Sequence, residues 1–407
     1  MHRLLRTFLS LMLLLGSIVP AIASADVVNN VLLKWREQVE KCSDSDRSDD
    51  VSMVHVAMFE AINSIVGKYT PYKAMIKAAP GSSVDAAAAT AAHDVLAKIC
   101  PDMKSGFDGA LKSSLALVKD SVSRENGAAV GKQAAIAILA ARENAHGEGK
   151  DPFFVTAKPG VYVPTLRQTG MRLAKETPWI MTRPDELRPP PPPALSSPVW
   201  TRDYREITKL GGKKSDSRTD EQRDTGKFWA GRDVRIVLRQ LVALPGRNLV
   251  DDARFLALAE MAWEDSYVAM MDGKYAYNFW RPVTAIRGGI MDGNDSTAAD
   301  SAWEAMVTTP SHPEYPCGHC LSAAAVGTVI AKEFGDRMPT IVLDQDSTML
   351  RRYSSAQDYI DEVSEARILA GVHYRFSTDV GKAMGVSIGK LAVERYFKRQ
   401  PKQRVAR

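Results

Sequence analysis

Several features common in membrane proteins and metalloenzymes are scarce or absent in this 407-residue sequence. Beyond residue 25, no run approaches the roughly eighteen consecutive apolar residues that suggest a membrane-spanning helix. Runs of alternating β-branched residues are also scarce, so we expect few strands. Neither an HExxH motif nor a pair of CxxC motifs occurs, which removes the commonest sequence signatures of zinc sites. These absences leave a chain built mostly of helices.

A strong excess of one charge sign is missing as well. The chain carries 53 Lys and Arg against 48 Asp and Glu, a formal net charge of +5. Loss of residues 1–25 would remove two arginines and no acid and leave +3. Much of that excess lies in the stretch FKRQPKQRVAR, which we interpret as a solvated end. The sequence therefore predicts no nucleic-acid partner.

The first residues have the pattern of a cleaved signal peptide. Arg3 and Arg6 precede an apolar core from Phe8 to Val19, and the small residues ASA ending at Ala25 form a signal-peptidase site. A membrane anchor is the alternative, but the apolar core is short for a bilayer span. We expect residues 1–25 to be removed. The mature protein, without an integral membrane segment, is then expected to be periplasmic or secreted.

Four cysteines in a chain expected to be exported indicate disulfides, because exported proteins fold in an oxidising environment. Four cysteines allow three pairings. We expect Cys42–Cys100, which would tie two N-terminal helices together, and the local pair Cys317–Cys320.

Helical signals dominate the rest of the chain. Residues 26–150 contain alanine-rich and apolar-periodic stretches and are predicted to form an N-terminal helical part. Residues 151–218 include RPPPPPALSSP and are predicted to be a proline-rich irregular connection. Helices resume at Thr219, which forms a capping box with Gln222, and residues 219–407 are predicted to be a C-terminal helical part carrying the functional site. The predicted fold class is all-α, a helical bundle.

The stretch KYAYNFWRP brings two cations together. Lys274 and Arg281 have six residues between them, which in a helix is about two turns, so both would lie on one helix face. No acidic residue lies between them, which favours an anion held by both. A solvated helix face is the alternative for this stretch taken alone.

The stretch PSHPEYPCGHC, from Pro310 to Cys320, holds two of the seven histidines, one glutamate and a CxxC pair. An apolar-periodic stretch follows, so the turn is predicted to open a helix, where free N–H groups and the helix dipole favour an anion. Gly318 would let the backbone approach that anion, and His319 would donate or accept a proton. Zinc and thioredoxin-like redox sites are weaker alternatives, since cations surround the histidines and no βαβ pattern surrounds the CxxC.

The third cluster is ARILAGVHYRFSTD. Arg367 and His373 have five residues between them, and Gly371 is expected to give room in the helix that carries both. A guanidinium is a planar fork suited to a tetrahedral oxyanion, and a histidine can bond to the central atom. Together the three clusters predict an oxyanion site with three cations, a helix N-terminus and two histidines in different roles.

In this order the three motifs resemble the signature shared by vanadium-dependent haloperoxidases and type-2 phosphatidic acid phosphatases. K-x6-R-P appears as Lys274 to Pro282, P-S-G-H as Pro316 to His319 and R-x5-H as Arg367 to His373. The motifs cover about residues 274–379, and the C-terminal half also looks like that of exported bacterial members of the haloperoxidase branch. The resemblance implies the helical bundle of that superfamily and a vanadate cofactor, or phosphate in a phosphatase.

The resemblance also implies residue roles. His373 matches the histidine that ligates vanadium axially or attacks phosphorus, His319 matches the acid–base residue, and Gly318 matches a backbone N–H donor. The side chains that would neutralise the anion's equatorial oxygens are Lys274, Arg281 and Arg367. Lys274 would also polarise bound peroxide. Cys317 replaces a serine whose hydroxyl binds an equatorial oxygen, and a thiol is a weaker donor.

The function implied by the resemblance is oxidation of a halide at the expense of hydrogen peroxide. Hydrogen peroxide would oxidise the halide, and the released hypohalous acid would halogenate small organic acceptors. His312 falls where haloperoxidases place a phenylalanine or histidine beside the halide path, and the histidine form favours bromide or iodide. A solvent-facing loop histidine is the alternative for His312.

Two other functions stay open. One is a soluble, exported acid phosphatase with His373 as its nucleophile, and the other is a non-catalytic oxyanion-binding protein. Ser377 stands where the phosphatases have an aspartate, and Asp379, two residues further, is the remaining candidate to orient His373. The weakened carboxylate position argues mildly against a phosphatase.

Overall fold

The computed structural model describes residues 30–43, 51–73, 75–147, 157–164, 169–345 and 349–401, so the predicted signal peptide lies outside the described residues. Thirteen α-helices lie within the described ranges and confirm the predicted all-α class. In chain order they are α1 (Val31–Ser43), α2 (Ser52–Val66), α3 (Val84–Ile99), α4 (Lys104–Leu117), α5 (Ser121–Arg142), α6 (Pro198–Leu210), α7 (Asp220–Phe228), α8 (Ile236–Val242), α9 (Leu249–Tyr277), α10 (Pro282–Arg287), α11 (Gly318–Phe334), α12 (Ala356–Leu369) and α13 (Arg375–Arg395).

Strands are few, as predicted. β1 (Ile341–Gln345) and β2 (Met349–Tyr353) form an antiparallel hairpin between α11 and α12, and Leu343 lies opposite Arg351. This hairpin is the one sheet in the described part of the chain.

The N-terminal helices pack closely because small residues line their contact. The buried residues of α3 are mostly alanine, and a Cβ atom at Gly131 of α5 would stand 2.2 Å from the carbonyl oxygen of Ala87. The disulfide Cys42–Cys100 joins the last turn of α1 to the residue that ends α3. The expected tie between two N-terminal helices is therefore present.

Helix α9 links the N-terminal helices to the C-terminal ones. It is 29 residues long, and most of its residues between Val250 and Lys274 are buried. It packs against α2 on one side and against α11 and α13 on another, and one apolar core includes residues from all four helices. No helix among the described residues combines the length and apolar character of a membrane span.

Helices α11 and α13 approach each other closely enough for backbone contact. Gly381, Gly385 and Gly389 recur every four residues along α13 and so lie on one face. A Cβ atom at Gly385 would stand 2.1 Å from the carbonyl oxygen of Leu321, and one at Gly381 would stand 2.5 Å from that of Cys317. Helix α13 therefore presses directly on the start of α11, where the CxxC turn lies.

The predicted irregular connection, residues 151–218, contains a helix. Helix α6 begins at Pro198, and the Ser197 hydroxyl accepts from the N–H of Trp200 at 3.2 Å. A serine cap followed by proline at the first helical position is a favourable helix start. Proline lacks an N–H group, and an N–H at this position would have no partner within the helix. The prediction of an irregular chain is therefore wrong from Pro198 to Leu210. Residues 151–156 and 165–168 of the connection lie outside the described residues.

The proline segment, residues 189–193, lies against the C-terminal end of α9. The Tyr277 hydroxyl donates to the carbonyl oxygen of Pro189, and the Tyr315 hydroxyl donates to that of Pro190 at 2.8 Å. These contacts hold a stretch whose prolines have no N–H groups to donate. The segment is therefore fixed beside the loop that precedes α11.

Candidate anion-binding site

Lys274 lies in the last turn of α9 and is fully buried. Its ammonium group donates to three backbone carbonyl oxygens, those of Pro313 at 2.8 Å, Glu314 at 2.7 Å and Pro316 at 2.7 Å. All three ammonium hydrogens are therefore used. Burial lowers the pKa of Lys274 well below its ordinary value, and the positive charge of Arg281 acts in the same direction. Lys274 fixes the loop that leads into α11.

Arg281 does not share a helix face with Lys274, and that prediction is wrong. Asn278, the residue after α9, has a left-handed conformation with φ of 48°, so the helix ends before Arg281. The fully buried guanidinium of Arg281 reaches the site from a loop and donates to the carbonyl oxygens of Val372 at 2.8 Å and His312 at 3.0 Å. Burial lowers the pKa of Arg281 to about 10.

The R-x5-H motif also spans a helix end. Helix α12 ends at Leu369, and Gly371 has φ of 80°, a conformation that glycine adopts readily. A Cβ atom at Gly371 would stand 2.2 Å from the carbonyl oxygen of Gly211. The expectation of one continuous helix is therefore wrong, because Gly371 ends the helix instead of giving room within it. The turn carries His373 away from the axis of α12.

Arg367 stays in the last turn of α12 and is buried. Its Nη1 donates to the carbonyl oxygen of Trp229 at 3.1 Å, and its Nε–H has no hydrogen-bond partner among the described residues. Burial lowers its pKa to about 10, and the charge of Arg281 contributes. A buried charge is costly unless it is paired, so this guanidinium is suited to an anion.

His373 is held at both ring nitrogens. Its Nε2 lies 3.2 Å from Nη1 of Arg281, and its Nδ1 lies 2.7 Å from Oε1 of Glu314. A guanidinium can only donate, so Nε2 accepts, and Nδ1 carries the proton and donates to Glu314. Burial lowers the pKa of His373 well below its ordinary value, with Arg281 as the next cause. The ring is therefore neutral, and its Nε2 lone pair points toward the guanidinium.

Glu314 is a site residue to which the sequence analysis gave no role. It is fully buried, and its Oε1 also accepts from the N–H of Tyr374 at 3.2 Å. Burial raises the pKa of Glu314 to about 7, against the opposing effects of Lys274 and Arg281. Its position was the available signal, because it is the one acidic residue in the stretch PSHPEYPCGHC.

Asp379 does not orient His373, and that suggestion is wrong. Asp379 is exposed, and its carboxylate lies 3.6 Å from the ammonium group of Lys382. Both residues belong to α13, which starts at Arg375 and carries Asp379 to its outer face. The carboxylate at the histidine comes from the other side of the site.

His312 and His319 complete the polar lining. Nδ1 of His312 lies 3.0 Å from Nη2 of Arg281, which can only donate, and 3.3 Å from the carbonyl oxygen of Pro313, which can only accept. The shorter contact makes Nδ1 an acceptor. His319 is the second residue of α11. Burial lowers the pKa of both histidines well below the ordinary value. The charge of Lys274 is the next cause at His312, and that of Arg367 at His319. Neutral imidazoles in this position can take up a proton as well as donate one.

The predicted helix N-terminus is present. Helix α11 begins at Gly318, where a Cβ atom would stand 2.0 Å from Sδ of Met270. Cys317 and Cys320 form the expected disulfide, and Sγ of Cys317 accepts from the N–H of Cys320 at 3.4 Å. A disulfide sulfur has no hydrogen to donate, so Cys317 cannot replace a serine hydroxyl as a donor. The N–H groups of the first turn remain as donors.

These groups form what we call the cationic cage. Its members are Lys274, Arg281, His312, Glu314, Gly318, His319, Arg367 and His373. Among the described residues, its three buried cations face one carboxylate and three neutral imidazoles. An oxyanion with two negative charges would balance this excess, and guanidinium groups and N–H donors match its oxygens. The structure thus brings the predicted site residues together, while their catalytic roles stay predictions.

The C-terminal part of the chain matches a known protein family. Residues 254–400 match the family model described as the VCPO second helical-bundle domain. The vanadium chloroperoxidase of Curvularia inaequalis is 25% identical over 173 residues, which is 32% of this chain and 28% of that protein. The match thus spans little more than a quarter of that enzyme. The resemblance inferred from the three motifs is confirmed by both matches.

Solved structures extend the likeness to most of the chain. A bacterial vanadium-dependent iodoperoxidase superposes with a TM-score of 0.76 at 20% identity and covers 92% of this chain and 98% of its own. A holo-type bacterial vanadium-dependent chloroperoxidase superposes with a TM-score of 0.68 at 17% identity and covers 90% of this chain and 92% of its own. Likeness at this identity shows the fold, which is the helical fold of the vanadium haloperoxidases.

Proposed function

We propose that the protein is a vanadium-dependent haloperoxidase that uses hydrogen peroxide to oxidise bromide or iodide. The observation that carries the proposal is the cationic cage, in which three buried cations surround a neutral histidine and share one carboxylate. Peroxide, halide and small organic acceptors are its proposed reaction partners.

The donors of the cage suit vanadate. His373 would ligate it through Nε2, while the guanidinium groups of Arg281 and Arg367 and the N–H of Gly318 would bind its oxygens. Bound there, vanadate supplies a Lewis acid that activates hydrogen peroxide toward the halide. The Nε–H of Arg367, which has no partner among the described residues, supports the assignment because it would gain an acceptor.

Arg281 exchanges one partner when the anion binds. Its Nη1 has two hydrogens, one directed to the carbonyl oxygen of Val372 and one to Nε2 of His373. Ligation needs the Nε2 lone pair, so the second hydrogen must move to an oxygen of the anion. The bonds to the backbone can remain, and they keep the guanidinium in place.

His319 moves the proton in this proposal. Because burial keeps its ring neutral near pH 7, it accepts a proton from the incoming peroxide and returns it to the departing water. Lys274 stabilises negative charge through its own charge. To polarise bound peroxide directly, as the resemblance implies, it must release one of its three carbonyl acceptors.

The halide preference is proposed from His312. Its Nδ1 accepts from Arg281, so the neutral ring carries its proton on Nε2 and presents an N–H to an anion. The likeness in fold to a bacterial iodoperoxidase supports iodide. Rates with chloride, bromide and iodide for the wild type and His312→Phe test this preference, and a chloride rate equal to the others would contradict it.

An acid phosphatase is the second candidate, and the Glu314–His373 contact favours it. A nucleophilic histidine is commonly oriented by a hydrogen-bonded partner, and the 2.7 Å contact provides one. Glu314 thus supplies a carboxylate partner for His373 that Ser377 and Asp379 do not supply. Hydrolysis of para-nitrophenyl phosphate, with vanadate as an inhibitor, is the activity expected under this alternative.

The first experiment measures peroxide-dependent oxidation of iodide and bromide by metal-free protein, before and after addition of orthovanadate. We expect turnover that requires vanadate and is lost in His373→Ala. Asp379→Ala, an exposed change on α13, is the matched control and should keep full activity. Phosphate-ester hydrolysis without halide oxidation would instead support the phosphatase.

Vanadate binding without either activity would favour a non-catalytic oxyanion-binding protein.

Export to the periplasm or medium is part of the proposal, and the two disulfides support it because such bonds persist in oxidising compartments. Amino-terminal sequencing of the protein from its native host tests removal of residues 1–25.

A further inference from the structure

We propose that Glu314 is the positioning residue that gives His373 its ligating lone pair. Glu314 holds the imidazole proton on Nδ1, so Nε2 faces the cage with a lone pair. The inference rests on the proposed anion site and adds a residue and a role that the three sequence motifs do not contain.

The contact joins two separate parts of the chain. Glu314 lies in the loop before α11, and His373 lies 59 positions later, between α12 and α13. Their 2.7 Å contact is between fully buried side chains. The pair is thus shielded from water, which would otherwise compete for Nδ1.

The carboxylate is itself fixed in place. Its Oε1 accepts from the N–H of Tyr374, next to His373 in sequence, at 3.2 Å, while Oε2 has no hydrogen-bond partner among the described residues. The backbone carbonyl of the same Glu314 accepts from Lys274 at 2.7 Å. The residue is therefore held through Oε1 and through its backbone carbonyl, and both contacts keep Oε1 beside the histidine.

The direction of the proton follows from the two partners of the ring. Arg281 can only donate to Nε2, and a carboxylate accepts at Nδ1. Without Glu314, a neutral imidazole can carry its proton on either nitrogen, and a proton on Nε2 blocks ligation. The carboxylate also makes Nε2 a stronger base, as carboxylate partners of ligating histidines do in metal sites.

Binding of vanadate can be compared with binding of phosphate, an oxyanion of similar shape, to separate this role from a purely structural one. Vanadate accepts a fifth ligand and so uses the Nε2 lone pair, whereas phosphate in its ground state stays four-coordinate and is held by charge and hydrogen bonds. Loss of Glu314 should therefore weaken vanadate binding much more than phosphate binding. A damaged cage would weaken both.

The test is isothermal titration calorimetry of metal-free full-length protein with orthovanadate and, separately, with inorganic phosphate. Glu314→Leu should raise the Kd for vanadate about 10- to 100-fold, the usual effect of losing a second partner of a ligating histidine. Its Kd for phosphate should change less than about 3-fold, because the three cations remain. Glu314→Gln, which keeps an acceptor oxygen but loses the charge, should fall between the wild type and Glu314→Leu for vanadate.

Glu264→Gln is the matched control. Glu264 is a buried carboxylate on α9, and it lies ten positions before Lys274, about 15 Å along the helix axis. Its substitution should leave both dissociation constants unchanged. Phosphate binding by each variant also reports that its cage is folded.

Each outcome decides the proposal. Equal losses for vanadate and phosphate in both Glu314 variants, or unchanged vanadate binding in Glu314→Leu, would overturn the positioning role. Failure of the wild type to bind either oxyanion would instead overturn the proposed anion site. The two failures are thereby distinguished.

Discussion

Two buried clusters of charge lie along α9, and they are built differently. Around Glu260, Arg36 donates to one carboxylate oxygen at 2.8 Å and Arg235 to the other at 2.7 Å. Asp233 adds a second acid 2.6 Å from Arg235. This closed cluster, Arg36, Arg235, Asp233 and Glu260, has two cations and two acids. The cationic cage has three cations and one acid.

The difference is what we expect if one cluster is structural and the other binds the proposed anion. In the closed cluster each charge is met by an opposite charge of the protein, so removing one member leaves a buried partner uncompensated and destabilises the fold. In the cage, Lys274 donates to three backbone carbonyl oxygens, and Arg367 keeps an N–H without a partner among the described residues. We therefore expect the cage to lower stability in the absence of an anion, and the proposed anion to restore it on binding.

The largest expected effect tests the closed cluster. Glu260→Leu should lower the free energy of unfolding by about 3–5 kcal/mol, because it leaves two buried guanidinium groups without their shared carboxylate. Urea unfolding followed by circular dichroism measures the change. A loss below about 1 kcal/mol, the range of a surface ion pair, would contradict the view that this cluster stabilises the fold.

The closed cluster also predicts a pH dependence through His55, which lies 3.9 Å from Glu260. Burial lowers the pKa of His55 from 6.5 to about 4. Between these values the unfolded chain binds a proton at His55 and the folded chain does not, so stability falls as the pH drops, by up to about 3 kcal/mol. His55→Gln should remove this dependence. Parallel stability curves for the two proteins between about pH 4.5 and about pH 7.5 would refute it.

The cage should respond to an anion where the closed cluster does not. Orthovanadate at about 100 times its Kd should stabilise the wild type by about 2.7 kcal/mol, and Arg367→Met should lose most of this gain. Without an anion, Arg367→Met should be neutral or slightly stabilising, since it removes a buried cation that has no acid partner.

Arg36→Met is the matched change in the closed cluster. It should be destabilising and should leave the vanadate response intact, because it removes a cation that an acid of the protein already balances. Thermal unfolding of both variants with and without orthovanadate makes the measurement. Similar behaviour of the two variants would remove the distinction between the clusters.

The smallest expected effect concerns Cys317. Cys317→Ser combined with Cys320→Ala should tighten vanadate binding by about 0.5–1.5 kcal/mol, because a serine hydroxyl can donate where the disulfide sulfur cannot. Titration calorimetry against the wild type measures this. Unchanged affinity and turnover would show that the missing serine hydroxyl does not limit this site.

The sequence predicted which residues form the cage better than it predicted the helices and turns that carry them. The cations and histidines could be found because their types, spacing and order are distinctive. Their placement on continuous helices was wrong, because one left-handed residue, Asn278 or Gly371, ends each helix, and helical periodicity does not detect such a residue. Gly371 was a readable stop signal, since glycine is the usual residue at a helix C-terminus.

The role of Glu314 and the presence of α6 were not detected from local sequence patterns. Glu314 meets a partner 59 positions away, and such a distance in sequence carries no periodic signal. Helix α6 was hidden by the prolines before it, although Ser197 followed by Pro198 is a helix-start pattern. The scarcity of strands was predictable from the residue pattern, and the cysteine count indicated disulfides. Their pairing was predicted from position, since Cys317 and Cys320 lie close together in sequence.

The proline segment beside α9 is attached in a way that tolerates changes in some of its own side chains. Tyr277 and Tyr315 hold it through the backbone carbonyl oxygens of Pro189 and Pro190. These hydrogen bonds depend on the path of the backbone and do not involve polar side chains of the segment. Prolines maintain that extended shape without competing for these oxygens. Residues 191–193 can therefore change in size or polarity while the segment stays attached to the end of α9 and to the loop that leads into α11.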